Sequence, residues 1–378
     1  MQVYWQMELR YGTIDENVKK RSVRDVILRE RQRIPVREGR MPSGVTSLPV
    51  MFGQKRAGDL AVIAAVNDLA AQGIRTTGFS PTILLPPGTE EEFLRILMRQ
   101  ICRTAFSLGI DVREGCTEVT DLVSRPVVIG TASGIPISTE MKGTPFSAEN
   151  KEPPFPTEIK NPPFPTGILE IPFSTENREI PFSTGDREKD GKKRDLAGMD
   201  IVMAGYAGLE GTFILADEYE EELADRFSGS LLYRIQNAKK ELCIAEAAER
   251  AFFAGAGPMV SLAGGGVLAG LWELCKKTGC GMEADLPLIP LLQETIEITE
   301  YFGIDPYALQ SGGGLLIAAP DGENIVRRLS ECGIYSAWIG RLTGTKDKIL
   351  LNGEEVRHLD RPRADSLTQV RGGSCKYH

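Results

Sequence analysis

Residues 58–74 read GDLAVIAAVNDLAAQGI. Apolar small residues dominate the segment, and Gly73 stands where a helix would stop, so the spacing predicts a helix over 57–73. Its Ala-rich surface allows close packing on a sheet. Asn67 and Asp68 interrupt that surface. An aspartate among small buried apolar residues is costly unless it is solvated, paired or bound to metal.

Outward from this helix, the pattern alternates between strands and helices. Upstream, VTSLPVMF is strand-like after a Gly/Pro-rich turn, and 14–31 carries apolar residues at helical intervals. Downstream, TTGFSPTILLP reads as a strand closed by Pro86-Pro87-Gly88. Thr89 is placed to cap the next helix, with Phe93, Leu94, Ile96, Leu97, Ile101 and Phe106 on its inner stripe. IDVRE, a tight GCTEVTD loop and the β-rich RPVVIGTASGIP complete a first domain, 1–136, with a mixed sheet. After 196, MDIVMAGYAG, PMVSLA, MEADL, GGGLLIAAP and YSAWIGRLTG alternate with helical runs, giving a second α/β domain over 196–364 and a flexible tail over 365–378.

Between the domains lies a repeat. Phe146, Phe155, Phe164, Phe173 and Phe182 recur every nine residues, most of them in a Pro-Phe-Ser/Pro-Thr phrase. That period suits neither helix nor strand, and proline breaks both. Residues 137–195 are read as an extended, poorly ordered low-complexity insert, with stacked repeats around a Phe core as the alternative.

Composition narrows the chemistry. The 378 residues are 42% hydrophobic and 25% charged, as in globular proteins. A net charge of −8 without a basic block argues against nucleic acid as the main partner. No run of roughly 18 apolar residues occurs, and the first residues lack a signal pattern, so a cytoplasmic protein without membrane contact is expected. The seven cysteines form no CxxC pair, which suggests reduced thiols. Two histidines near the end, His358 and His378, leave any chemistry to carboxylates, backbone amides or a bound cofactor.

Two nucleotide signals compete. Gly264-Gly265-Gly266-Val267-Leu268-Ala269 fits G-x-G-x-x-G/A between a strand and a helix, with Glu283 and Asp285 further on. No second mononucleotide half follows it, but anion binding at the helix start is expected either way. The other signal is dispersed: Asn67-Asp68, the Gly115-Cys116-Thr117-Glu118 loop, and Gly265-Gly266. Carboxylates for magnesium and loop amides for phosphates would suit a polyphosphate.

These spaced pieces resemble the aminoimidazole-ribonucleotide-synthase-like superfamily, which includes the hydrogenase maturation factor that dehydrates a protein-bound thiocarboxamide, selenophosphate synthetase and thiamine-monophosphate kinase. Besides 58–74, the resemblance rests on NVKKRSV, TILLPPGTEEEFLRILMRQI, GCTEVTDLV, GLEGTFILA, GGVLAGLWEL, GIDPYALQSGGGLLIA and AWIGRLT. It covers nearly everything outside the insert and is closest to the hydrogenase-maturation-factor-like subgroup. It implies a two-domain α/β (α+β) fold, an N-terminal domain pairing in a homodimer, ATP near that interface, and a C-terminal domain closing over it. Asp68 then helps to hold Mg2+, Asn67 supports it, Gly115 and Thr117 approach the nucleotide, and Gly265 and Gly266 present amides to phosphate or substrate.

The chain also departs from the family pattern. Arg37-Glu38-Gly39-Arg40 stands where an acid-containing glycine loop is usual, Ser47-Leu48-Pro49 where an aspartate often follows the strand, Cys116 at a variable polar position, and Gly264 where an acid or arginine is common. Weakened or absent ATP turnover with binding retained is expected, because phosphoryl transfer depends on charge neutralisation and positioning. Near the end, Cys375 invites comparison with the maturation factor's terminal cysteine, although three residues follow it. It is either a carrier thiol or an incidental one. The readings are an ATP-dependent enzyme activating a small oxygen- or sulfur-containing group, and a catalytically impaired nucleotide-binding or structural homodimer acting through a protein partner. An NAD-dependent oxidoreductase built on 264–269 is a third.

Overall fold

Apolar residues surround helix α1 (Ala57–Ala71), and a helix without a polar stripe has to be covered on every side. The computed structural model describes residues 44–138 and 196–372, together with Lys20 and Asp25. In it, 13 of the 15 residues of α1 are buried.

One side of α1 lies on the first sheet. Strands β1 (Val45–Val50), β2 (Ile74–Leu85) and β5 (Val127–Pro136) pair antiparallel in the order β1-β5-β2. Strands β3 (Asp111–Val112) and β4 (Cys116–Val119) both run parallel to β2. The GCTEVTD segment, expected as a tight loop, is therefore partly a strand: Cys116 to Val119 align with Thr82 to Leu85, the free end of a long strand. Helix α2 (Glu91–Ser107) buries Leu97, Ile101 and Ala105, one residue per turn on a single line. Ile96 and Phe106, expected on that stripe, sit about 100° off it and are 46% and 60% exposed. Thr89 does not cap α2; its hydroxyl donates to the Pro86 carbonyl at 2.7 Å, and Glu90 takes the capping position without a side-chain bond.

The second domain centres on a seven-stranded sheet in the order β12-β11-β8-β10-β6-β9-β7. Its strands are β6 (Asp200–Ala204), β7 (Met259–Ser261), β8 (Gly281–Asp285), β9 (Leu315–Ala319), β10 (Ser336–Thr343), β11 (Lys348–Asn352) and β12 (Glu355–His358). Helices α3 (Leu209–Glu218), α4 (Glu220–Arg226), α5 (Gly229–Asn237), α6 (Ala245–Phe253), α7 (Gly266–Thr278), α8 (Gln293–Phe302) and α9 (Gly322–Ser330) connect and flank them. A last helix, α10 (Leu367–Gly372), lies in the stretch expected as a flexible tail; Leu367 is 2% exposed within the apolar cluster around α3 and α8.

Helix α2 covers a second side, with Gly58 against the Leu97 carbonyl, and much of the rest of α1 packs on the second domain. One core cluster joins Val62, Val66 and Leu69 to Val202, Ile244, Leu315 and Ile317. Another joins Leu60 and Ile63 to Leu209, Phe213 and Ile214. The architecture is the expected α/β pair of domains, welded through one helix. The helical reading of 14–31, the Phe repeats and Cys375 lie outside the described residues. Among the described residues, no helix is long and apolar enough to cross a membrane.

Candidate functional site

Asn67 sits on α1 where the helix meets the second domain, and both ends of its amide are engaged. Its Nδ2 donates to the Leu242 carbonyl at 2.7 Å, and its Oδ1 accepts the Ile244 amide at 2.9 Å. Buried backbone groups need partners, and a side-chain amide that both donates and accepts satisfies two at once. A second polar bond crosses the same seam, Arg75 of β2 to Glu249 of α6 at 2.5 Å. Asn67 thus stands as an inter-domain bridge.

Asp68, one residue on, is half-buried. Its carboxylate accepts Gln72 Nε2 at 2.9 Å. Lys277, at the end of α7, donates to the Met259 carbonyl at 2.8 Å. Burial lowers the Lys277 pKa, and the charges of Asp68 and Glu273 oppose that shift. Asp68 is therefore an acid on the domain seam facing a desolvated lysine. Among the described residues, no group of three or more His, Cys, Asp or Glu side chains is placed to hold a metal ion. Within one chain Asp68 offers a single carboxylate, so any magnesium held there would take most of its ligands from water and from the phosphates of a bound nucleotide.

The loop residues lie elsewhere. Gly115 holds φ +73°, and a Cβ there would come 1.9 Å from the Pro81 carbonyl oxygen, so only glycine lets the chain enter β4. Cys116 and Thr117 are exposed and align with Thr82 and Ile83 near the end of β2. Ala61 of α1 marks the level of Pro81, because a Cβ on Gly130 would meet its carbonyl and Gly130 pairs with Pro81. Asp68 is two helical turns beyond Ala61, about 10 Å toward the other end of β2. One chain therefore does not bring Asp68 and Thr117 into contact.

Gly265 and Gly266 form the start of α7 with φ of +80° and +67°. A Cβ on Gly266 would fall 2.2 Å from the Tyr307 carbonyl, so the turn is tight as the motif implies. Its amides, however, are not open to a ligand. The Gly265 amide donates to Asp365 Oδ2 at 2.7 Å, and Asp365 Oδ1 accepts the Leu367 amide at 2.9 Å. The Gly266 amide closes on the Ala263 carbonyl at 3.2 Å. The helix start does attract an anion, as its dipole requires, but the anion is a carboxylate of the same chain. The α7 axis also separates this turn from Lys277 by about 18 Å, so the three pieces expected in one cradle occupy three places.

Sequence reasoning missed the group beside that turn. Glu210 of α3 is buried, and its Oε2 accepts the Gly312 amide at 3.1 Å. Burial raises its pKa to about 7, hydrogen bonds from Gln310 and Gly312 pull it back, and the charge of Asp365 pushes it further up. Burial likewise raises the Asp365 pKa, against amide bonds from Leu367, Gly265 and Gln310. Two buried acids thus lie close enough for the charge of Asp365 to raise the proton affinity of Glu210, each held by hydrogen bonds from neighbouring loops. Only the GLEGT run, an acid between small residues at a helix start, could have signalled it.

Comparison with known proteins agrees with this architecture. The model of the AIR synthase related protein N-terminal domain matches residues 44–136, and that of the C-terminal domain matches 198–351. The chain is 26% identical over 282 residues to carbamoyl dehydratase HypE of Rhodobacter capsulatus, covering 73% of this chain and 65% of that protein. The match thus spans slightly less than two thirds of the relative. Among solved structures, hydrogenase maturation protein HypE in complex with ATP superposes with a TM-score of 0.62 at 15% identity, over 96% of this chain and 98% of that one. A HypE–HypF complex gives 0.59 at 16% identity, over 89% and 99%. At such identities the superpositions speak for the fold alone. With both family models matching in order across the two sheets, the chain belongs to the AIR synthase related protein family and is HypE-like within it.

Proposed function

We propose that this protein is a hydrogenase-maturation-type member of its family that binds ATP or a related phosphate ligand and turns it over weakly. It works in the cytoplasm as a homodimer, and it acts through a protein partner. The observation that carries the reading is the oxyanion already seated at the start of α7, where Asp365 Oδ2 takes the Gly265 amide at 2.7 Å. The amide geometry that holds a carboxylate oxygen there also suits a phosphate oxygen, which would have to displace Asp365 to reach it. The ATP complex of HypE and the complex of HypE with HypF support a nucleotide ligand and a protein partner by analogy of fold.

Weak turnover is favoured over efficient catalysis by three features. Asn67 is engaged in the domain seam, Asp68 is bonded to Gln72, and Cys116 lies where the family often places a polar residue. ATP-dependent activation of a small oxygen- or sulfur-containing group remains the second reading, and a second copy bringing Thr117 toward Asp68 would favour it.

Calorimetry with ATP, with and without Mg2+, alongside a sensitive phosphate-release assay, separates the two. Binding with turnover near background, insensitive to Asp68→Ala, supports the first reading. Mg2+-dependent release that Asp68→Ala abolishes supports the second, and absence of ATP binding at about 1 mM rejects both.

A further inference from the structure

A cavity of about 610 Å³ opens on the outer side of α1, between that helix, α2 and the 3-10 turn Ala238–Leu242 of the second domain. Arg56, Arg99, Arg103, Lys239 and Lys240 line it against a single acid, Asp59. In a chain of net charge −8, so positive a cleft is a local departure from the average.

Acids pair three of these five cations: Arg56 with Asp217 at 3.5 Å, Lys239 with Asp59 at 2.6 Å and Arg99 with Glu92 at 3.2 Å. Asp59 is 3% exposed and already saturated: Thr104 Oγ1 and Lys239 Nζ both donate to it at 2.6 Å, and Arg56 stands 4.0 Å away. It ties the cleft floor together across both domains. Arg99 leans toward Glu92 at 3.2 Å, outside the cleft. Arg103 and Lys240 are exposed and have no ion-pair partner among the described residues. Like charges converging on one concave surface repel each other unless an anion joins them, and the concave shape focuses their field.

We infer that this cleft binds a multiply charged phosphorylated small molecule. Its volume lies within the usual range for small-ligand sites. The exposed Arg103 guanidinium fork and the Lys240 ammonium suit phosphate oxygens. Ile63, Ile96 and Leu108 supply an apolar wall for an organic part. The cleft is a different place from the seam acid, because Asp59 and Asp68 are nine residues and about 13 Å apart along α1. The inference does not rest on the reading of α7.

Titration calorimetry of the full chain at low salt, with tripolyphosphate, ATP and adenosine as separate probes, tests it. Tripolyphosphate binds, and the Arg103→Glu/Lys240→Glu variant weakens that binding about tenfold or more. ATP affinity that the double variant lowers, and that exceeds tripolyphosphate affinity, identifies a nucleotide; equal affinities identify a polyphosphate chain. Should the double variant misfold, Arg103→Ala and Lys240→Ala each weaken binding about threefold with an unchanged melting temperature. No tripolyphosphate binding at about 1 mM, or binding that the charge-reversal and alanine variants leave intact, overturns the inference without touching the ATP reading.

Discussion

Asp365 and Gly265 stand 100 residues apart in sequence, yet the carboxylate of one accepts the amide of the other at 2.7 Å. The bond closes the positive end of α7 with a side chain from the segment that leads into α10. The same carboxylate holds the Leu367 amide, so one acid fixes a helix start and the return of the chain together.

Asp365→Ala should therefore destabilise the protein by about 2 kcal/mol, since two buried amides lose their acceptor. Phosphate or pyrophosphate should raise the melting temperature of this variant more than that of the unaltered chain, by refilling the vacated position. Equal shifts in both proteins would mean that the turn does not take phosphate.

The pair Glu210 and Asp365 makes stability depend on pH in a defined direction. Burial raises the Glu210 pKa from 4.5 to about 7, so the folded protein holds its proton more tightly than the unfolded chain does. Stability from this group is full below pH 4.5 and falls as pH rises toward 7, by on the order of 3 kcal/mol. Asp365, shifted the same way, adds to the slope. Glu210→Gln should flatten urea-denaturation stability between pH 5 and 8 and raise it at the upper end. A slope unchanged by the substitution would assign it to other groups.

Asn67→Ala should cost about 3 kcal/mol in chemical denaturation, because the Leu242 carbonyl and the Ile244 amide are then both left unpaired in the seam. Asn67→Asp should cost at least as much, since one carboxylate oxygen would face the Leu242 carbonyl. A role confined to ligand binding predicts instead that both variants keep native stability.

Gly115→Ala should destabilise by several kcal/mol. The positive φ and the 1.9 Å approach to the Pro81 carbonyl leave a methyl group no room without displacing β4 from β2. Proteolysis near residues 113–121 should accelerate in this variant; an unchanged cleavage pattern would show that β4 is held by other means.

Periodicity carried most of the fold. The all-round apolar character of 57–71, the Gly73 stop and the turn glycines at 265 and 266 follow from local chemistry, and each appears where that chemistry places it. Phe106 and Ile96 are apolar yet lie off the line of Leu97, Ile101 and Ala105, so angular position rather than apolar character decides what α2 buries. The site was less legible for a different reason. Asn67, Asp365 and Glu210 take their character from partners 175, 100 and 102 residues away, Leu242, Gly265 and Gly312, and no window of neighbouring residues reveals such pairings. An asparagine used as a bridge and one used as a ligand read alike in a sequence.

Helix α1 has a further consequence for how this molecule can be taken apart. Its covering comes from both family-matched segments, so neither half can enclose it alone. A chain severed between 139 and 195 should give fragments that aggregate when produced separately and reconstitute when produced together, and the intact protein should melt in one cooperative transition. The length of the connection between the halves can vary; their separation cannot.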